Sequence, residues 1–89
     1  MAKYSIVIKK SAAKEIESID SKKDRILIIE KISSLAENPR FEGALKLSNS
    51  EKYRIRQGNY RILYEINDEV IEVSVVKVGH RKEVYRKKS

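Results

Sequence analysis

Tyr53-Arg54-Ile55-Arg56-Gln57-Gly58-Asn59-Tyr60-Arg61-Ile62-Leu63-Tyr64-Glu65-Ile66-Asn67 reads as two β-strands, 53–57 and 60–67, folded back on each other. β-Branched and aromatic residues recur at alternate positions, the period of a strand with one buried face. Gly58-Asn59 is a two-residue turn pair, since glycine supplies the positive φ that hairpin turns matched to strand twist require. The turn sets the register, so that Ile55 opposes Ile62 and Arg56 opposes Arg61. Alternation then gathers Arg54, Arg56 and Arg61 on one face.

Downstream, Val70–Val78 reads as a third strand, with Asp68-Glu69 as the turn before it. That turn predicts Ile62, Tyr64 and Ile66 opposite Val75, Val73 and Ile71 on an apolar face, with Glu65, Glu72 and Ser74 sharing the arginine face. Upstream, Asn38-Pro39 stops a helix, because proline donates no hydrogen bond and disfavours helical geometry in the residue before it. The helix it stops runs from about Lys22 to Glu37. Ile28, Ile29, Ile32 and Leu35 form its apolar side, widened by Ile26 and Leu27, while Lys22, Lys23, Asp24, Glu30 and Lys31 are expected to face solvent. Before it, Ser11 reads as the N-cap of a shorter helix carrying Ala12, Ala13, Ile16 and Ile19, and Tyr4–Ile8 reads as a first strand. The order β-α-α-β-β-β predicts one α+β domain over residues 1–89: an N-terminal strand, an αα-hairpin, and a three-stranded antiparallel meander forming one twisted sheet with the helices on one face.

Composition narrows the function. In 89 residues, 20 Lys and Arg outweigh 13 Asp and Glu, and cysteine is absent. A chain this short buries only about 60–65% of its unfolded surface, and without thiols its core comes from packing alone, in keeping with a reducing cytoplasm. No apolar run approaches the ~20 residues a membrane span needs, and no signal peptide is read at the N-terminus, so the chain is expected to be cytoplasmic. No metal site or cofactor is expected. Residues 1–44 carry a net charge of +2 (nine basic, seven acidic) and residues 45–89 carry +5 (eleven basic, six acidic). The second half is therefore the polyanion-seeking one.

Two directly opposed arginines lose the roughly 0.2–1 kcal/mol that a complementary pair contributes. A phosphate between them converts the repulsion into paired hydrogen bonds; Glu65 and Glu72 on the same face offer the alternative of a solvated salt-bridge surface. The strands alone do not choose. Beyond the last strand, Val78-Gly79-His80-Arg81-Lys82-Glu83-Val84-Tyr85-Arg86 interleaves cations with an aromatic ring, the combination that grips a single-stranded RNA backbone and stacks a base. Tyr85 has a second reading, as a ring that packs the tail onto the sheet. Lys46, Lys52, Lys82 and Arg86, further cations of this half, are expected RNA contacts.

Tyr53–Tyr64, followed by Val78–Tyr85, resembles the RelE toxins of bacterial and archaeal toxin–antitoxin systems, within the wider RelE/ParE superfamily; Asn38-Pro39-Arg40 before Leu45-Lys46-Leu47 fits the same pattern. The resemblance covers almost the whole chain. It implies a toxin that cuts mRNA in the ribosomal A site without metal, by setting a ribose 2′-hydroxyl on the adjacent phosphate. Its partners would be the ribosome, mRNA and a cognate antitoxin, acidic where it covers the arginine face. By motif, Arg54 and Arg56 fall at basic catalytic positions, Arg61 at a transition-state-stabilising arginine, Arg81 at an acid candidate and Tyr85 at a base-stacking tyrosine. Lysines are common in the family where Arg54 and Arg56 stand here, and a guanidinium, protonated throughout the neutral range, is a poor general base. His80, the single histidine, is the alternative proton acceptor. Two other functions fit the same family: a ParE-like inhibitor of DNA gyrase, and a catalytically degenerate member that binds only its antitoxin.

Overall fold

A computed structural model describes residues 3–40, 43–47 and 52–80. Its elements are β1 (Ser5–Ile8), α1 (Lys10–Glu17), α2 (Lys22–Ser34), β2 (Leu45–Lys46), β3 (Lys52–Gln57), β4 (Tyr60–Asn67) and β5 (Glu72–His80). The strands form one mixed sheet in the order β1-β5-β4-β3-β2, with β1 parallel to β5 and the other neighbours antiparallel. This is the expected α+β arrangement, with one added strand: the short β2 pairs Leu45 with Arg54 and Lys46 with Tyr53 along the outer edge of β3.

The hairpin register is the expected one, with Ile55 opposite Ile62 and Arg56 opposite Arg61. Gly58 holds φ +62°, and no non-glycine neighbour in that turn has a positive φ, the pattern of a type II′ hairpin turn. Ile55, Ile62, Tyr64, Val73, Val75 and Val78 are buried on one face against Ala12, Ile16 and Ile19 from the first helical segment and Ile28, Ile32 and Leu35 from the second. The helices therefore cover one face of the sheet.

The helices differ in detail from the sequence reading. The first begins at Lys10, with Lys9 in the cap position and no side-chain cap, two residues ahead of the expected cap Ser11. In α2 the buried stripe is Ile28, Ile32 and Leu35, while Ile26 and Ile29 are each 47% exposed. Positions 28, 32 and 35 lie nearly in line on a 3.6-residue repeat; Ile29 is rotated about 100° away. Ser21 caps this helix by accepting from the Asp24 amide at 3.1 Å, and the Arg25 guanidinium holds the α1–α2 turn by donating to the Ile19 and Asp20 carbonyls. The helix ends at Ser34, and residues 35–37 tighten into i→i+3 hydrogen bonds before Pro39.

The β4–β5 connection corrects the sequence reading. Its loop is four residues, Asp68 to Ile71, rather than the pair Asp68-Glu69, so Ile66 opposes Val73, Tyr64 opposes Val75 and Ile62 opposes Val78. Val76 is left without a facing residue between the Leu63–Lys77 and Tyr64–Val75 pairs, a β-bulge. The extra residue reverses the alternation along β5, so Val78 is buried with Val73 and Val75 despite an odd separation. Ile71, expected in the core, is 40% exposed. Side chains fix this longer loop: the Asn67 carboxamide oxygen accepts from the amides of Glu69 (3.0 Å) and Val70 (3.3 Å). Arg40 donates to both Asp68 carboxylate oxygens at 3.2 and 2.8 Å, and the Tyr4 hydroxyl donates to one of them at 2.7 Å.

The segment after α2 is fastened to the sheet by the same cluster. The buried Tyr64 hydroxyl donates to the Pro39 carbonyl at 2.6 Å, and its ring stacks on Tyr53 with centroids 5.7 Å apart. Burial first, then Tyr53, pushes the Tyr64 hydroxyl up to about 12. At the other end, β1 stops opposite Val75, and Glu15 of α1 takes over: one carboxylate oxygen accepts from the Val78 amide at 2.8 Å and the other from the Lys77 ammonium at 2.8 Å.

Ile71 holds φ +52°, a conformation costly for a β-branched residue. Ile71→Gly should therefore raise stability by about 1 kcal/mol, seen as a later urea midpoint with an unchanged m-value; an earlier midpoint would show that the side chain matters more than its backbone. The Asp68 carboxyl is held below the usual carboxylate range, by Arg40 first and Tyr4 second. A depressed folded pKa adds stability above the unfolded value of about 4, and that stability is lost as pH falls through the folded value. Asp68→Asn should lower the melting temperature at pH 7 and flatten its decline below about pH 4; an identical acid limb in both proteins would refute the assignment.

Candidate nucleic-acid interface

The sheet face turned away from the helices is arranged in rows across the strands. Lys52 faces Glu65, Arg54 faces Leu63 with Leu45 outside it, and Arg56 faces Arg61 with Gly79 beyond. Arg54, Arg56 and Arg61 therefore share the open face, as the hairpin register predicts. They differ in setting: Arg56 is exposed, Arg54 is half-buried and Arg61 is only 7% exposed. Gly79, next to Arg61, adds no side chain to that row, so the Arg56–Arg61 pair is flanked by backbone on the β5 side.

Charge on this face is segregated. Glu65 pairs with Lys52 at 3.4 Å, one row beyond Arg54. Farther along, Glu65, Asp68, Glu69, Glu72 and Ser74 border an open hollow of about 440 Å³. Arg61 and Glu65 are four residues apart on β4, about 13 Å at strand rise. The face thus has a cationic end at the β3–β4 turn and an acidic end at the β4–β5 loop. Of the two carboxylates proposed to screen the arginines, Glu65 is paired to Lys52 and Glu72 faces Asn67 at the acidic end.

At the cationic end the exposed Arg56 guanidinium can present a planar fork to an anion, with the buried Arg61 charge behind it. Arg61 is held by burial, so its charge is preorganised, which suits it to stabilise negative charge that builds during a reaction. Among the described residues no group of three or more His, Asp or Glu side chains could hold a metal ion.

Two expected site residues lie on the other face. His80 is paired with Tyr60, its ring edge-on to the tyrosine with centroids 5.8 Å apart, and it borders a cleft of about 430 Å³ with Glu15, Ser18 and Asp20 at the helical turn. The Val76 bulge causes this: it shifts the alternation so that Gly79, and not His80, joins the arginine row. Lys46 pairs with Tyr53 and is exposed on the helix side of the edge strand. Lys52 does share the arginine face. Arg81, Lys82, Tyr85 and Arg86 lie outside the described residues. Sequence reading also missed Lys31 of α2, which is partly buried beside Arg54 and Arg56 instead of facing solvent. Its sequence signal is only a lysine in the last turn of a helix, which the helix dipole explains equally well.

Comparison with known proteins supplies the family context. Residues 6–85 match the family described as the ParE toxin of type II toxin-antitoxin system, parDE. Toxin RelG of Mycobacterium tuberculosis is 43% identical over 35 residues, a stretch covering 39% of this chain and 40% of RelG; the chain thus spans well under half the length of this relative. The isolated E. coli RelE toxin superposes with a TM-score of 0.76 at 25% identity, covering 97% of this chain and 87% of RelE. In the intact E. coli RelBE toxin-antitoxin complex, the matched chain is 29% identical with a TM-score of 0.75, over 86% of this chain and 95% of its own length.

Opposed arginines should weaken the free fold. Arg56→Thr should raise stability by about 0.2–1 kcal/mol while lowering affinity for single-stranded RNA, measured by urea titration and fluorescence anisotropy. Loss of stability would mean that Arg56 supports the fold instead of a ligand.

Proposed function

Because this chain belongs to the ParE toxin family of type II toxin–antitoxin systems, within the RelE/ParE superfamily, we propose that it is a ribosome-dependent mRNA endoribonuclease. The observation that carries this reading is the Arg56–Arg61 pair, with Arg54 beside it, on the open face of the sheet. Likeness to RelE structures at 25–29% identity supports it.

In this reading the arginines clasp the scissile phosphate of a message in the A site. The ribose 2′-oxygen attacks phosphorus as its proton passes to solvent water, the bond from phosphorus to the 5′-oxygen breaks, and that oxygen takes up a proton. The products are a 2′,3′-cyclic phosphate and a 5′-hydroxyl, with no metal or cofactor taking part. Arg61 stabilises the charge on the phosphoryl oxygens, and Arg54 and Arg56 orient the strand. By resemblance Arg81 protonates the leaving oxygen, Tyr85 stacks on a base, and Lys52, Lys82 and Arg86 add backbone contacts. His80 and Lys46 face the helices, so this reading assigns them no part in the chemistry, and rate enhancement rests on positioning and electrostatics. The toxin acts in the cytoplasm and is held by a cognate antitoxin, acidic where it covers the arginines.

The family description as ParE favours a second reading, inhibition of DNA gyrase through a protein-binding surface on the same fold. Purified protein added to programmed ribosomes should yield mRNA ending in 2′,3′-cyclic phosphate, with Arg61→Ala slowing cleavage by roughly 10²- to 10³-fold. Expression should arrest growth, relieved by the neighbouring antitoxin gene. Intact mRNA together with blocked supercoiling would transfer the assignment to gyrase; intact mRNA, normal supercoiling and normal growth would indicate an antitoxin-binding member without activity.

A further inference from the structure

Hydrogen bonding between β1 and β5 ends where the Lys9 amide donates to the Val75 carbonyl at 2.9 Å, because the chain turns into α1 at Lys10. The Val76 bulge follows at once, between the Tyr64–Val75 and Leu63–Lys77 pairs. The last stretch of β5 thus begins where its register changes and its parallel neighbour leaves. Glu15 of α1 holds this stretch at two points, one carboxylate oxygen accepting from the Val78 amide at 2.8 Å and the other from the Lys77 ammonium at 2.8 Å. Facing residues of an antiparallel pair alternate between those that exchange backbone hydrogen bonds and those whose amides point away from each other. The Val78 amide, bound to Glu15, points away from Ile62, so in the next pair Arg61 and Gly79 turn their backbone groups toward each other. Lys77 stands by register in the row of Leu63 and Arg54 on the open face, yet its ammonium is drawn past the edge of β5 to Glu15.

We infer that Glu15 is a positioning residue for the arginine row: its two-point grip on Lys77 and Val78 holds β5 in the bulged register that keeps Gly79 beside Arg61. The effect on catalysis rests on the ribonuclease reading, in which Arg61 stabilises charge on the phosphoryl oxygens. Without the bulge, the Tyr64–Val75 pairing would run on to set Lys77 opposite Ile62 and Val78 opposite Arg61. A branched side chain would then enter the arginine row in place of glycine, and a lysine would turn toward the core. Burial of Val78 favours the observed register, and Glu15 adds a directional preference for it. The carboxylate needs an outward amide and, on the residue just before it, a cation. In the slipped register the outward amide is that of Lys77, preceded by the apolar Val76, so the ion pair is lost. Glu15 thus acts on the chemistry through Gly79 and Arg61 and touches no reacting atom.

The grip can be tested on the full chain by NMR, through amide hydrogen exchange and the cross-strand contact between the Arg61 and Gly79 amides, and by cleavage kinetics on programmed ribosomes. In Glu15→Ala the Val78 amide should exchange at least about tenfold faster, a local opening that leaves the Val73 amide as protected as in the wild type. The Arg61–Gly79 contact should weaken in the same variant. On ribosomes kcat should fall roughly tenfold with KM little changed, as expected when a stabilising group is misplaced by a fraction of an ångström. Lys77→Met should move each readout part of the way, and Lys77→Arg, which keeps a cation for Glu15, should restore them. Unchanged Val78 exchange and an unchanged Arg61–Gly79 contact in Glu15→Ala would overturn the grip. Equal loss of protection at Val73 and Val78 would also overturn it, by showing that Glu15 supports the whole fold. Cleavage by Glu15→Ala at the wild-type kcat, with Val78 released, would overturn the positioning role. Intact mRNA with the wild-type chain, alongside the expected NMR changes, would refute the ribonuclease reading alone and leave the register grip standing.

Discussion

The register of the β3–β4 hairpin is the constraint from which the other features follow. A glycine with φ +62° at position 58 closes the turn, and the turn sets Arg56 opposite Arg61 and Ile55 opposite Ile62. Side chains alternate with a period of two, so a slip of one residue would exchange the faces of a strand, sending isoleucines to solvent and arginines under the helices. The same pairing therefore seals the core and sets the cations on the face opposite the helices. A buried apolar face on β4 and β5 holds the register in place, which is how a sheet can tolerate two arginines facing each other.

A domain this small has a limited core, and polar fastenings at its margins complete it. Tyr64 ties the segment after α2 to the sheet through the Pro39 carbonyl; Arg40 joins that segment to the β4–β5 loop through Asp68. Glu15 occupies the position beside β5 that a longer β1 would have filled. These contacts are non-local, and each places a carboxylate or hydroxyl where a backbone or cationic partner would otherwise be unmatched. Among the described residues, the carboxylates of Asp68, Glu69 and Glu72 gather at the β4–β5 end of the open face, away from the arginine end.

Much of the fold was legible in alternation and punctuation: the two strands around Gly58-Asn59, the helix stopped by Asn38-Pro39, and the apolar positions 28, 32 and 35. The arginine face was legible for the same reason, since facing is a local property once the turn is known. What failed did so where side chains override a turn rule. Asp68-Glu69 reads as a two-residue turn, but Asn67 binds two loop amides and Asp68 is held from Tyr4 and Arg40, distant in sequence, so the loop takes four residues. The register of β5 moved with it, and Ile71 left the core.

The sequence by itself determined the order of the elements, the opposition of Arg56 and Arg61, and the charge of the face they share, because each of these follows from spacing between near neighbours. Tertiary structure decided which other cations join that face. The Val76 bulge turned His80 toward the helices and set Gly79 beside Arg61, and the packing of α2 brought Lys31 to a cleft that Arg54 and Arg56 also line. Those outcomes depend on how strands end against one another and on where a helix packs across them, and no local period in the chain encodes either.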